Sequence, residues 1–144
     1  MASSKSRRTT AQPHHRTRRD HASETAEDYV EAVAEILAEK AECRAVDLAA
    51  YFGVSHVTVT RIVARLANEG LLLTLPYRPI SLTPQGKRLA QASRKRHEIV
   101  HNFLLAIGVD EATAALDTEG IEHHVSPTTL ARLEKLTQQL RNQA

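Results

Sequence analysis

The sequence predicts a mainly α protein, with an N-terminal winged helix–turn–helix followed by an all-helical half. Three observations predict it. Apolar residues recur at helical spacing between good capping residues along most of the chain. Two short β-prone runs flank the tetrapeptide "PYRP" directly after a helix–turn–helix pair. Aromatic residues are only 3% of the 144, and Trp is absent. Leu, Ala, Val and Ile must therefore build the core, which suits helix packing better than a β-sandwich.

The start, "MASSKSRRTTAQPHHRTRRD", is polar and lacks apolar periodicity. Lys5, Arg7, Arg8, Arg16, Arg18 and Arg19 face Asp20 alone, whereas the remainder is net acidic. Residues 1–23 read as a disordered basic arm, which either contacts phosphates or simply solubilises the chain. Residues 24–83 read as the winged helix–turn–helix and residues 84–144 as the helical half. In "TAED", Thr25 has the form of an N-cap with Asp28 reaching back. Tyr29, Val33, Ile36 and Leu37 follow at helical spacing, and the first helix ends near Lys40. The second helix lies in "CRAVDLAAYFG", with Val46, Leu48, Ala49 and Phe52 as its apolar members and Gly53 as its stop. The third begins at the N-cap Ser55, buries Val59, Ile62, Val63 and Leu66, and stops at Gly70. Its many β-branched residues suit a strand, but the 59/62/63/66 spacing is helical.

Leu71 to Leu75 and Ile80 to Thr83 then form a hairpin. Thr83 caps a long fourth helix with Pro84 at its first position, running to about Ile107 before Gly108. It carries Leu89, Ile99, Phe103 and Leu104. Asp110 caps a fifth helix through Glu122, and Ser126 caps a sixth beginning at Pro127.

A helix–turn–helix places its second helix in the major groove. Here that helix offers Ser55, His56, Val57, Thr58, Thr60, Arg61 and Arg65. Arg61 suits a guanine edge, Val57 a thymine methyl, and the hydroxyls either bases or phosphates. Arg78 at the hairpin tip, with Lys87 and Arg88 beyond it, suits backbone phosphates. The partner this predicts is double-stranded operator DNA.

A second chemistry sits elsewhere. "EGIEHHVS", residues 119–126, puts Glu119, Glu122 and His123 at i, i+3 and i+4 of one helical face. His124 points elsewhere. The first helix offers Asp28 and Glu31, and the fourth offers His97. Carboxylates and imidazoles without thiolates suit Mn²⁺, Fe²⁺, Co²⁺ or Zn²⁺. Spacing does not by itself bring the three segments together. The single cysteine, Cys43, excludes an internal disulfide and a Cys-cluster zinc site, and fits a reducing, cytoplasmic setting. No apolar run reaches membrane-spanning length, so no membrane partner is expected.

The stretches "EDYVE", "VSHVTVTRIVARLANEGLL", "SLTPQGKRLA", "RHEIVHNFLLAIGVD" and "EGIEHHVS" together resemble the diphtheria-toxin-repressor family, in its smaller manganese-regulator branch. The resemblance spans roughly residues 25–140. It implies a homodimeric winged-helix repressor of metal-uptake genes, with a metal-binding and dimerisation domain after the winged helix and two ions per subunit. It implies Asp28, Glu31, His97, Glu119, Glu122 and His123 as ligands, with His124 outside the set. Iron-responsive members place sulfur at the positions of Asp28 and Glu122. Oxygen at both implies Mn²⁺ as cofactor, with Zn²⁺, Cd²⁺, Fe²⁺ or Co²⁺ as substitutes. It implies a dimer contact through the fifth and sixth helices, including Leu130, Leu133 and Leu136. No C-terminal SH3-like domain is expected beyond residue 144, as in the manganese branch. His101 stands where an acid is expected.

Other readings are an iron- or zinc-responsive repressor of the same family and a redox-sensing winged helix using Cys43. A zinc peptidase is a third, because His97-Glu98-x-x-His101 fits the His-Glu-x-x-His pattern. It requires a third ligand and a substrate cleft, and the chain is not expected to be an enzyme.

Overall fold

The computed structural model describes residues 11–144, with side-chain surroundings from residue 21 onward. In chain order the elements are α1 (Ala11–Lys40), α2 (Ala45–Phe52), α3 (His56–Asn68), β1 (Leu72–Leu73), β2 (Ser81–Leu82), α4 (Pro84–Ala106), α5 (Glu111–Ile121), a 3₁₀ turn (Glu122–His124) and α6 (Pro127–Asn142).

The local chemistry of the sequence sets most boundaries. Ser55, Thr83, Asp110 and Ser126 are extended N-caps whose side-chain oxygens accept from the backbone N–H three residues on. Each such cap stabilises its helix by about 1 kcal/mol. Pro84 and Pro127 open their helices, where no N–H is needed. Gly53 closes α2 with φ 64°, a conformation that costs little without a Cβ.

Four expectations are corrected. The first helix begins at Ala11 rather than Thr25. Thr25 lies inside it, and its hydroxyl donates to the His21 carbonyl one turn back (2.9 Å). The stretch 11–23 of the predicted disordered arm is therefore helical, while residues 1–10 lie outside the described residues. Val46 is 63% exposed and takes no part in the core. The hairpin strands shrink to two residues each, paired antiparallel with Leu72 opposite Leu82 and Leu73 opposite Ser81. Glu122 leaves α5 and enters the tighter 3₁₀ turn.

Two apolar cores result. The first joins Tyr29, Val30, Val33 and Ile36 of α1 to Leu48, Val59, Val63, Leu66, Leu72 and Ile80. Tyr29 and Phe52 stack within it, ring centroids 4.4 Å apart. Cys43 forms an isolated bridge to Ile80, which ties the α1–α2 connection to the hairpin. The second core holds Val100, Leu104 and Ala114, with Phe103 and Leu130 packed against it. α4 serves both, through Ala90 in the first and Val100 and Leu104 in the second. α1, α5 and α6 all pack on α4.

Candidate metal centre and nucleic-acid face

Where α1 crosses the far half of α4, the 3₁₀ turn comes down between them. The turn follows α5 without a break, and its tighter winding carries Glu122 inward, leaving it 2% exposed. A buried carboxylate is costly unless positive charge or donors surround it. His97 Nδ1 donates to Glu122 Oε2 at 2.6 Å. His123 Nε2 lies 3.2 Å from Glu122 Oε1 and 3.3 Å from Asp28 Oδ1. His123 Nδ1 donates to Glu27 Oε2 at 2.7 Å. Both ring nitrogens thus face carboxylates, an arrangement that favours the protonated ring while no cation lies between them. Hydrogen bonds to Asp28, Glu122 and Glu27 outweigh burial and push its pKa up to about 12.

The site carries more negative charge than these imidazoles offset. Glu119 lies 3.9 Å from His97 Nδ1. Burial, then the charge of Glu122, raises the Glu119 carboxyl above its usual range. Burial also raises Glu31, opposed by a hydrogen bond with Ser93 and reinforced by Glu122 and Asp28. Donor atoms of His97, Glu119 and Glu122 lie within 4.8 Å of one another, as do those of Glu24, Asp28 and His123. Glu122 touches both groups. Oxygen and imidazole donors at this density, with one carboxylate out of water, fit hard or borderline divalent cations.

The structure therefore brings five of the six predicted ligands together: Asp28, His97, Glu119, Glu122 and His123. Glu31 falls outside both donor groups but lines the adjoining cleft of about 720 Å³ with Asp28, His97 and Glu119. Sequence reasoning missed Glu24 and Glu27. Glu27 is 8% exposed and accepts from Arg96 Nη1 at 2.9 and 3.1 Å. Burial would raise its carboxyl, but hydrogen bonds from His123 and Arg96 outweigh it and hold the pKa down. The available signal was Glu27 lying between Ala26 and Val30 on the apolar face, where an acid needs a partner. His124 is exposed and lies 3.7 Å from Glu24. The His101 ring lies parallel to that of His97 with centroids 5.9 Å apart, but its Nε2 is 3.1 Å from Glu111, and Glu98 pairs with Arg94 on the surface. The His-Glu-x-x-His match thus does not assemble a peptidase site.

The residues predicted to read a groove fall into two groups. Ser55, His56, Val57, Thr60, Arg61 and Arg78 are exposed, Val57 at 78%. Thr58 is half-buried within the Ser55 cap, 2.9 Å from the Ser55 hydroxyl. Arg65 is also half-buried. It donates to the Ala22 carbonyl of α1 and pairs with Glu69 at 3.6 Å. It braces α3 against α1 and is not free on the reading face. From Leu48 to His97 the only acid is Glu69, against Arg61, Arg65, Arg78, Lys87, Arg88, Arg94, Lys95 and Arg96. The basic field missing from the overall charge is concentrated here.

Residues 21–80 match the model of the iron dependent repressor N-terminal DNA binding domain. Residues 83–143 match the model of the iron dependent repressor metal binding and dimerisation domain. The transcriptional regulator MntR of Salmonella typhimurium is 48% identical over 122 residues, 85% of this chain and 78% of that protein. The chain belongs to the iron-dependent repressor family. Within that family, the HTH-type transcriptional regulator MntR of Lysinibacillus sphaericus is 38% identical over 78% of this chain and 81% of its own. A solved manganese-dependent transcriptional repressor in complex with manganese superposes with a TM-score of 0.68 at 28% identity. The match covers 78% of this chain and 52% of that one, so the chain spans about half the length of that structure. Family and relatives are DNA-binding regulators, and the chain is not an enzyme. No described helix is long and apolar enough to cross a membrane.

Proposed function

We infer that the chain is a manganese-responsive transcriptional repressor, which binds operator DNA as a homodimer when Mn²⁺ is bound. The observation that carries the reading is the convergence of Asp28, His97, Glu119, Glu122 and His123 from three separate segments. They meet under the winged helix of a chain 48% identical to a regulator named MntR. Asp28, Glu119, Glu122, His97 and His123 are the proposed ligands, with Glu31 joining from the cleft wall. Two ions per subunit fit the two donor groups joined through Glu122. Oxygen at Asp28 and Glu122 favours Mn²⁺, while Zn²⁺, Cd²⁺, Fe²⁺ and Co²⁺ remain able to enter.

When bound, the ion supplies fixed positive charge between carboxylates that otherwise repel one another. The chain's own residues do the rest. Asp28 and its neighbours on α1 draw the winged helix onto α4 and the 3₁₀ turn. Ser55, His56, Val57, Thr60 and Arg61 then present one face to a major groove. Leu116, Ile121 and Leu136 leave apolar surface open on α5, its end and α6 for a second copy. Leu130 instead packs within the chain's own second core, so it contributes less to that contact. Two reading heads on a dimer must span successive major grooves, ~34–36 Å apart. Restricting α1 before DNA arrives lowers the ordering cost of binding.

The test is operator binding across a metal series at fixed salt. The operator is first recovered from random-sequence duplexes by the wild-type chain with Mn²⁺. Mn²⁺ is expected to tighten binding by roughly 5–150-fold, a typical allosteric coupling. Glu119→Ala is expected to abolish the response and weaken Mn²⁺ binding in calorimetry. A Glu119→Ala chain that responds to Mn²⁺ like wild type removes Glu119 from the site.

A further inference from the structure

One carboxylate near the metal centre does not face the others. Glu27 and Asp28 are consecutive on α1, so their side chains leave the helix about 100° apart. Asp28 lines the cleft that adjoins the donor groups, whereas Glu27 lines a separate cleft with Ala22, Ser23 and Ala26. The His123 ring sits between the two. Its side chain is 3% exposed, with Nδ1 2.7 Å from Glu27 Oε2 and Nε2 3.3 Å from Asp28 Oδ1. Glu27 belongs to neither donor group. Both of its oxygens are already taken, because Arg96 Nη1 donates to Oε1 at 2.9 Å and to Oε2 at 3.1 Å. Arg96 directly precedes the proposed ligand His97 on α4.

We propose that Glu27 is a positioning residue for the metal centre: it holds the Nδ1 proton of His123, so that Nε2 is the nitrogen left to ligate, and Arg96 holds Glu27 in place. The inference rests on the metal-binding reading above. A neutral imidazole has one N–H and one lone pair, and the partner of the N–H decides which nitrogen keeps the lone pair. An ionised carboxylate only accepts, so Glu27 fixes the proton on Nδ1. Turning the ring over about its Cβ–Cγ bond would exchange Nδ1 with Cδ2 and Nε2 with Cε1. Carbon would then face both Glu27 and the Asp28–Glu122 pair, so the contact also fixes which way up the ring lies. Arg96 supplies the charge that a buried carboxylate needs. A purely structural ion pair between α1 and α4 requires Arg96 and Glu27 alone. It leaves unexplained that the shortest contact of Glu27, 2.7 Å, is to His123 Nδ1.

The test uses the full chain. Calorimetric titration with Mn²⁺ is run on chains whose metal-free forms are folded by circular dichroism. Glu27→Ala is expected to weaken Mn²⁺ binding by about 10–100-fold, the usual cost of removing the partner of a ligating histidine. Glu27→Gln keeps an oxygen that accepts from Nδ1, so it should recover most of the loss and bind within about fivefold of wild type. A second measurement needs no variant. In the wild-type chain loaded with Cd²⁺, a diamagnetic stand-in, nitrogen-15 NMR of His123 should show the proton on Nδ1 and the metal on Nε2. Metal on Nδ1, or on neither nitrogen, overturns the proposal even where no Glu27 variant folds. Wild-type Mn²⁺ affinity in Glu27→Ala overturns it too. So does an equal loss in both variants, since charge and not orientation would then be what the site requires. If the wild-type chain binds no Mn²⁺, the metal-binding reading itself falls, and this inference with it.

Discussion

At the scale of single residues, the chain separates groups that are buried for structure from groups that are buried for chemistry. Cys43 belongs to the first kind. It is 0% exposed, and burial followed by the charge of Asp47 raises its pKa to about 11. Thiolate is the reactive form, so a thiol that stays protonated behind apolar packing is inert. Iodoacetamide at pH 8 should leave the folded chain unmodified by mass spectrometry and label Cys43 once urea unfolds it. Labelling at equal rates in both states would restore the redox-sensor reading. Glu122 belongs to the second kind, since two imidazoles on different elements are turned toward its buried carboxylate. Its place beside other metal-ligand residue types was legible in "EGIEHH" because residue types and spacing are local information. Glu27 and Arg96 were not legible as a pair. Their contact joins positions 69 residues apart and exists only where α1 crosses α4.

At the scale of elements, helix ends were read correctly wherever one side chain decides them, as at Ser55, Thr83, Asp110 and Ser126. The start of α1 was misread for the opposite reason. "TAED" has a capping form, yet a cap signature inside a stretch able to stay helical decides nothing. Strand lengths were overestimated because the β-prone runs are real but only Leu72, Leu73, Ser81 and Leu82 find ladder partners. The joint between hairpin and α4 is tighter than sequence alone suggests. The Thr83 hydroxyl donates to the Gly70 carbonyl at 2.6 Å, and a Cβ on Gly86 would overlap the Leu71 carbonyl. Gly86→Ala is therefore expected to lower stability by about 2–3 kcal/mol, measured by urea denaturation, as overpacking against immobile backbone does. An unchanged midpoint would mean that α4 slides freely at its first turn.

At the scale of the whole molecule, a net charge of +2 hides two opposed fields. Acids gather on α1, α5 and the 3₁₀ turn, while bases dominate from α3 through α4. Phosphate contacts release counterions, so affinity should fall steeply with salt. Between about 50 and 200 mM salt the Mn²⁺-loaded chain should lose roughly a thousandfold in duplex affinity, the scale for six phosphate contacts in a dimer. Fluorescence anisotropy across that range checks it, and a flat profile would place the basic face away from DNA. The layout of winged helix and helical half was legible in full, since periodicity and turn residues report it directly. The packing of α1 along α4 was not, because both helices have apolar faces that other partners could have covered.

Thr83 alone separates the last hairpin residue, Leu82, from the first residue of α4. The rod that carries both cores is thus hinged to the groove-reading half with no slack. A tilt imposed in its far half, at His97, must reappear as a swing of the hairpin and α3, much as a crowbar moves a stone it is wedged beneath. Spliced glycines at that joint would slacken the lever.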